Sequence, residues 1–303
     1  MFQNLDQLVE AARQKGPVKI AVAAGHDPDV MEALKRAREL NLAEGMLVGN
    51  PEKMAPLAQS VGFELRKDQV IPEPDDTASA RTAIALVREG TCSLLMKGKI
   101  NTAALVRAVL DKEAGLRTGR LLSQVIVFQV PGMTRLMLMS DAAINIAPTV
   151  EQKAEICRNA IEVAHALGIE KPNLAALCAF EFVNSEMPAT LDAACLSMMC
   201  QRGQIKGAYI EGPIALDVPL SKFAADRKGV SSPLTENTDI LIAPDIEAAN
   251  IMYRAIIYFG QGESGGVVMG ARVPLILLSR AETPETKLRS IAIATLVAAA
   301  QKK

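Results

Sequence analysis

Residues 260–290 read GQGESGGVVMGARVPLILLSRAETPETKLRS, and the reading of this stretch decides the rest. A glycine-dense loop is followed by the apolar run Val273-Pro274-Leu275-Ile276-Leu277-Leu278, which stops at the polar pair Ser279-Arg280. A bounded apolar run of this length suits a buried strand. Ser279 and Arg280 then sit at its carboxyl end, where open α/β sheets bind their ligands. Beyond them, Thr283 is a cap candidate and Pro284 suits the first helical position. Glu285 supplies an acidic first turn to a helix carrying Leu288, Ile291 and Ala292. Strand, charged tip and helix start are readable in one window.

The chain that surrounds this window has 303 residues, enough for one large or two ordinary domains. Hydrophobic residues make up 50 % of it, aromatics only 3 %, and tryptophan is absent, so aliphatic side chains and 13 methionines must build the core. A formal charge of −1 excludes whole-chain attraction to nucleic acid or to an anionic membrane. No window reaches the roughly 18 uninterrupted apolar residues of a membrane helix, and the first residues lack the apolar core of a secretory signal. The cysteines at 92, 157, 178, 195 and 200 form no CxxC pair, and their odd count fits reduced thiols in the cytoplasm. With His26 and His165 as the only histidines, no histidine–cysteine cluster exists to hold zinc, and no metal site is expected.

Upstream, helical and strand patterns alternate. Leu5, Leu8, Val9 and Ala12 recur at helical spacing before the apolar run Val18 to Ala24, which ends in the turn Gly25-His26-Asp27-Pro28. A helix from Val30 to Leu40, a short apolar run closed by Gly49-Asn50-Pro51, a helix to Ser60, a strand near Phe63 to Val70 and a helix from Ala78 to Glu89 continue the rhythm. This pattern predicts a mostly parallel sheet with helices on both faces. The strand Leu94-Leu95-Met96 then runs into Lys97-Gly98-Lys99, with Asn101 or Thr102 placed to cap the helix of Leu105, Val106 and Val109. Basic side chains, a glycine and the free N–H groups of a helix start make an anion site, although solvated lysines at a plain turn give the same letters. Arg117 and Arg120 lie on the next polar loop, and an arginine fork matches phosphate oxygens. The strands around Val125 and Met137 read as an antiparallel hairpin. Fresh capping at Thr149 marks a domain boundary. The second half repeats the alternation: a helix from Glu151 to Leu167, a strand from Asn173 to Ala179, a helix after Pro188 with a Met–Cys packing stripe, and a strand from Asp239 to Ala243.

Five stretches, in this order along the chain, carry a resemblance: Leu95-Met96-Lys97-Gly98; Glu211-Gly212-Pro213-Ile214-Ala215-Leu216-Asp217; Ala243 to Tyr253; Gly270-Ala271-Arg272-Val273-Pro274; and Leu278-Ser279-Arg280. The chain resembles the phosphate acetyl/butyryl transferase family. The resemblance implies reversible transfer of a short acyl group, butyryl or acetyl, between coenzyme A and inorganic phosphate by direct attack in a ternary complex. It also implies a fold like that of the isocitrate and isopropylmalate dehydrogenases, two α/β domains with a cleft between them: residues 1–145 with 280–303, and residues 146–279. Ser279, Arg280 and Asp217 are the implied catalytic set. Arg120, Arg107, Lys97, Gly98, Ser123 and Gly265 are the implied contacts to phosphate and coenzyme A. Arg280 and Arg120 match phosphate-binding arginines, and Ser279 matches a serine that stabilises the developing oxyanion. The implied partners are acyl-CoA, phosphate and acyl phosphate, with no tightly bound cofactor and with assembly as a homodimer or larger homo-oligomer.

One departure matters. Where acetyltransferase members carry an aspartate as the thiol base, the corresponding position here falls near Thr286, and neither Glu282 nor Glu285 is a clean replacement. Two other readings stay open. A metal- and NAD-dependent hydroxy-acid dehydrogenase of the same fold needs clustered aspartates, and the spacing Gly260-Gln261-Gly262-Glu263-Ser264-Gly265 follows a helix where a dinucleotide fingerprint follows a strand. The other is a coenzyme A ester-binding protein without catalysis.

Overall fold

The computed structural model describes residues 2–279 and 281–302. It is a mixed α/β protein whose chain divides into two compact units. One is nested, running from Leu121 to Glu263 with the chain start through Asn4; the other is split, Leu5–Arg120 joined by the chain from Ser264 onward.

The first leg of the split unit runs α1 (Leu5–Arg13), β1 (Val18–Ala23), α2 (Pro28–Glu39), β2 (Ala43–Gly49), α3 (Pro51–Ser60), β3 (Val70–Pro72), α4 (Asp76–Arg88), β4 (Leu94–Lys97) and α5 (Thr102–Val109). Four helix starts follow one rule: a short polar side chain ends the strand loop and accepts from the first free backbone N–H groups. Asp27 accepts from Val30 at 3.1 Å, Asn50 from Glu52 at 2.9 Å, Asp75 from Ala78 at 2.7 Å and Asn101 from Ala103 at 2.9 Å. The strand expected over Phe63 to Val70 is absent. Residues 63–66 carry no regular element, Lys67–Gln69 form a single 3₁₀ turn, and the strand begins only at Val70. The polar letters there serve side-chain ties instead: Arg38 lies over the Phe63 ring at 4.7 Å and donates to Gln69 at 2.5 Å.

The nested unit comprises β5 (Ser123–Gln129), β6 (Met137–Ser140), α6 (Val150–Ala166), β7 (Asn173–Leu177), α7 (Pro188–Gln201), β8 (Tyr209–Ile214), α8 (Asp217–Leu220), α9 (Lys222–Lys228), β9 (Ile240–Ile242) and α10 (Ile246–Tyr258). Its strands lie in the order β5-β6-β9-β7-β8. β5 and β6 pair antiparallel, as the hairpin reading expects, and the other pairings are parallel. The core between this sheet and its helices is mainly aliphatic, with Ile126, Met139 and Leu241 among its members beside the aromatic Phe128 and Tyr253.

The chain then returns to the split unit through β10 (Glu263–Met269), β11 (Leu275–Ile276) and α11 (Pro284–Gln301). The completed order there is β3-β2-β1-β4-β11-β10, parallel throughout except for the last pair. The glycine-dense stretch expected as a loop is therefore largely strand β10. Glycine is needed because α11 lies directly on it: a Cβ at Gly265 would stand 2.8 Å from Ile293 Cδ1 and 3.0 Å from the Arg289 carbonyl carbon, and the Gly266 N–H donates to Ser290 Oγ at 2.8 Å. The compact units also change over at 120/121 and 263/264, whereas the sequence reading puts the boundaries at 145/146 and 279/280. Capping at Thr149 is real, with Gln152 N–H donating to Thr149 Oγ1 and Thr149 N–H to Gln152 Oε1. It marks a helix start inside the nested unit, because the hairpin before it pairs with β9.

Candidate active site

In the split unit β1 leads to β2 on one side while β4 lies on its other side, so the carboxyl ends of β1 and β4 form the topological switch point where open α/β sheets bind ligands. The β4 end folds tightly over the β1 end. Gly98 N–H donates to Ala23 O and Lys99 N–H to Ala24 O, both at 2.8 Å. A Cβ on Gly98 would collide with Ala24 O and lie 2.8 Å from Ala23 O, so only glycine lets the turn sit there. Lys97 is buried, its ammonium donating to Gly98 O at 3.2 Å and to Ile100 O at 3.5 Å. It shapes the turn from inside, while Lys99 is exposed at the tip above the start of α5.

β11 pairs with β4, Leu275 opposite Leu95 and Ile276 opposite Met96, and this register delivers Ser279 to the same end of the sheet as Gly98 and Lys99. Ser279 is exposed. Its hydroxyl oxygen accepts from Ala281 N–H at 3.3 Å, which leaves the O–H to donate elsewhere. Arg280 lies outside the described residues. Just past it, Thr283 accepts from Thr286 N–H at 3.2 Å and caps α11. Thr286, at the position of the family aspartate, is buried with its hydroxyl 3.2 Å from that of Thr283. Glu285 is paired with Arg36, and Glu282 is buried.

The arginine loop is anchored at the other end of β11, on the segment that leads into it from β10. Arg117 bridges Ala271, Arg272 N–H donates to Leu116 O at 2.9 Å, and Thr118 Oγ1 donates to Gly270 O at 2.5 Å while accepting from Arg120 N–H. Arg120 itself is exposed. Arg107, one and a half turns into α5, lines a cavity of about 270 Å³ between α4 and α5. Lys97, Gly98, Arg107, Arg120 and Ser279 thus share one unit. Gly265 shares it too, but as a packing position under α11 with no open surface.

Ser123 and Asp217 belong to the nested unit. Ser123 opens β5 with no exposed surface, and its hydroxyl accepts from Asn159 Nδ2 at 2.8 Å, so it is a core hydrogen-bond partner and offers nothing to a ligand. Asp217 is half exposed and bound by Lys228 at 2.7 Å. That ammonium holds its carboxyl below the ordinary carboxylate range, which makes it a poor proton acceptor. At the carboxyl ends of β7 and β9, Leu177, Cys178, Ala243, Pro244, Ile251 and Met252 help line an almost wholly apolar cavity of about 550 Å³. At the end of β6 the buried Asp141 accepts from the N–H groups of Gln124, Ala143, Ile144 and Asn145 and from Asn145 Nδ2. Burial pushes its carboxyl up despite these donors.

Sequence reasoning passed over His26, Arg81 and Asp141. His26 is buried at the β1 end with Nε2 3.8 Å from Asp76, and burial holds its imidazole below the ordinary value. Its signal is its place directly after a strand, in the turn before a capped helix. Asp141 follows a strand in the same way. Arg81 has no such signal, because helical spacing alone does not say which neighbouring helix it faces. Three cysteines are poor nucleophiles: burial pushes the thiols of Cys92 and Cys178 up to about 11 and that of Cys157 up to about 12. Among the described residues no group of three or more His, Cys, Asp or Glu side chains is placed to hold a metal ion, and no helix is long and apolar enough to cross a membrane.

The family model described as "Phosphate acetyl/butaryl transferase" matches residues 75–295. The chain is 41 % identical over 298 residues to phosphate butyryltransferase of Clostridium acetobutylicum, covering 98 % of this chain and 99 % of the relative. It is 43 % identical over 302 residues to phosphate butyryltransferase of Clostridium beijerinckii, covering 100 % of both. Phosphate acetyltransferase of Thermotoga maritima is 43 % identical over 294 residues, covering 97 % of this chain and 99 % of that one. Among solved structures, a branched-chain phosphotransacylase from Enterococcus faecalis superposes with a TM-score of 0.80 at 29 % identity, covering 93 % of this chain and 99 % of that one. A 4-hydroxythreonine-4-phosphate dehydrogenase from Klebsiella pneumoniae has a TM-score of 0.55 at 14 % identity, covering 93 % of this chain and 99 % of that one, which is a likeness of fold alone. With near full-length identity and a family model spanning most of its length, the chain belongs to the phosphate acetyl/butyryl transferase family and is a phosphate acyltransferase.

Proposed function

We propose that this protein catalyses acyl-CoA + phosphate ⇌ acyl phosphate + CoA with a short acyl group, by direct transfer in a ternary complex. The observation that carries the reading is the convergence of the Gly98-Lys99 turn, the start of α5 and Ser279 at the carboxyl ends of β4 and β11. Cationic and N–H donors at the same sheet end as a hydroxyl support this reading, since a leaving phosphate and a developing oxyanion require both. In the direction of CoA acylation, the thiolate sulfur attacks the acyl carbon, a C–S bond forms, and the C–O bond to phosphate breaks. The electron pair leaves on the phosphate. Ser279 donates its O–H to the carbonyl oxygen as negative charge builds there. Lys99, with Arg280 on the strength of the resemblance, binds the phosphate. Burial pushes up the thiols of Cys92, Cys157 and Cys178, so none of these three suits an acyl-cysteine intermediate. Asp217, already neutralised by Lys228, is left out as the thiol's base. The expected cleft, homo-oligomeric assembly and cytoplasmic location remain parts of the proposal.

The test is release of free thiol from butyryl-CoA, followed with a thiol reagent, in the absence of NAD and added metal. Release that requires phosphate is expected. Phosphate-independent release, or strict NAD dependence, sinks the reading. The same assay with acetyl-, propionyl-, butyryl- and valeryl-CoA ranks acyl length, and light scattering in solution tests the assembly.

A further inference from the structure

α11 buries an ammonium beside aliphatic neighbours. Lys287 is 3 % exposed, in a helix whose next buried residues include Leu288 and Ile291. Lysine is almost never buried to this extent without partners, because its charge and its three N–H donors must all leave water. Among the described residues it has two. Its Nζ donates to the backbone oxygen of Glu282 and stands 3.6 Å from Asp29 Oδ2, in the first turn of α2. The carboxylate is 43 % exposed and lies beyond hydrogen-bond length, so the close contact of this ammonium is the one to the Glu282 carbonyl.

That carbonyl belongs to the segment that presents Ser279. Glu282 N–H donates to Ser279 O at 3.2 Å, and Ala281 N–H donates to Ser279 Oγ at 3.3 Å, so the chain folds back on Ser279 within three residues. Lys287 holds the far end of this fold from inside the helix that follows. Helical bonding begins one residue later, where Lys287 N–H donates to Thr283 O at 3.1 Å, which leaves Glu282 O outside the ladder of α11. Docking of α11 on α2 has other means: Arg36 pairs with Glu285 at the surface, and both helices bury aliphatic side chains. An apolar side chain at 287 would serve that docking equally, since burying an ion pair in place of apolar groups rarely adds stability. It could not hold a carbonyl. We infer that Lys287 is a positioning residue for acyl transfer: its buried ammonium clamps the Glu282 carbonyl and so fixes the Ser279 hydroxyl past the carboxyl end of β11. The inference rests on the acyltransfer reading for the reaction it serves.

Lys287→Met keeps the stem and removes the donor. With butyryl-CoA and phosphate its kcat is expected to fall roughly tenfold or more, the size of one lost hydrogen bond from a charged group, while KM for butyryl-CoA changes by less than about threefold. The loss runs through Ser279, so in a Ser279→Ala background the same substitution is expected to lower kcat by no more than about twofold. Arg36→Gln, which removes the surface tie between the same two helices, is expected to leave kcat unaltered. Equal losses with and without the Ser279 hydroxyl overturn the inference, as do an unaltered kcat in Lys287→Met and a matching loss in Arg36→Gln, because a general loosening of α11 acts on every background. Lys287→Gln, shorter and uncharged, is held to the same outcomes if the methionine variant fails to fold. Trypsin, which cuts after arginine, gives a reading without turnover. Cleavage between Arg280 and Ala281, identified by mass, is expected to be at least about fivefold faster in Lys287→Met than in the unchanged protein. Faster cleavage in a protein that turns over no acyl-CoA supports the clamp and sinks the acyltransfer reading. Turnover with neither a loss of kcat nor faster cleavage overturns the clamp and leaves that reading standing.

Discussion

Ser279 shows how far one residue's role follows from its surroundings. Its oxygen is already an acceptor from Ala281 N–H, so the proton it can still give is the one an oxyanion needs. Ser279→Ala is therefore expected to lower kcat by on the order of a hundredfold, with a smaller change in KM for phosphate, when steady-state rates of thiol release are compared. An unaltered kcat removes Ser279 from the chemistry. His26 makes a different kind of statement. Its ordinary value is 6.5, and burial depresses it in the folded state; Lys53 and Lys99 act in the same direction, against Asp76 and Asp27. Below about 6.5 the unfolded chain takes up this proton more readily than the folded one, so stability is present above that value and falls as pH drops through the depressed folded one. Asp141 and Asp239, whose carboxyls burial pushes up, act with the opposite sign nearer the carboxylate range. Urea midpoints measured at about pH 7.5 and about pH 5.5 are expected to differ less in His26→Gln than in the unchanged protein. An identical difference in both means the imidazole titrates alike in folded and unfolded chains.

Elements meet most closely where α11 lies on β10. A Cβ at Gly265 has Ile293 and the Arg289 backbone in its way, so Gly265→Ala is expected to cost about 1–3 kcal/mol by overpacking, read from denaturant unfolding. A variant as stable as the parent shows that the helix can lift without cost. The same contact explains which elements were legible beforehand. The run Val273–Leu278 announces a buried strand, and Thr283-Pro284 announces a helix start, because both signals are local; the structure keeps both, shortening the strand to Leu275–Ile276. The glycines before them look like a loop, since their purpose is the close approach of a helix that begins about twenty residues later. The Lys97-Gly98 turn was readable for the same local reason, whereas nothing local announces the burial of Ser123 and Gly265. Arg81 and Arg107 come together only through the packing of α4 on α5, which no spacing in the sequence states.

At the scale of the molecule, the division into units was the least legible feature, because it depends on strand pairing between distant segments. β11 is bound to β4 across the whole nested unit, and α11, buried along most of its length, packs on α1 and α2. A chain truncated after Glu263 is expected to keep slow hydrogen exchange at the β7 and β9 amides and to lose it at β1 and β4. Retained protection at β1 and β4 refutes the dependence. The split unit also sets an order of events during synthesis. When Arg120 leaves the ribosome, β4 has an open edge and the face that α11 will cover is bare. The roughly 140 residues of the nested segment take on the order of 7–28 s to make at about 5–20 residues per second. Throughout that interval the nascent first leg presents a strand edge and an aliphatic surface to solvent. Any chaperone capture is therefore expected to be concentrated in one window of translation, which closes when the final helix emerges and docks.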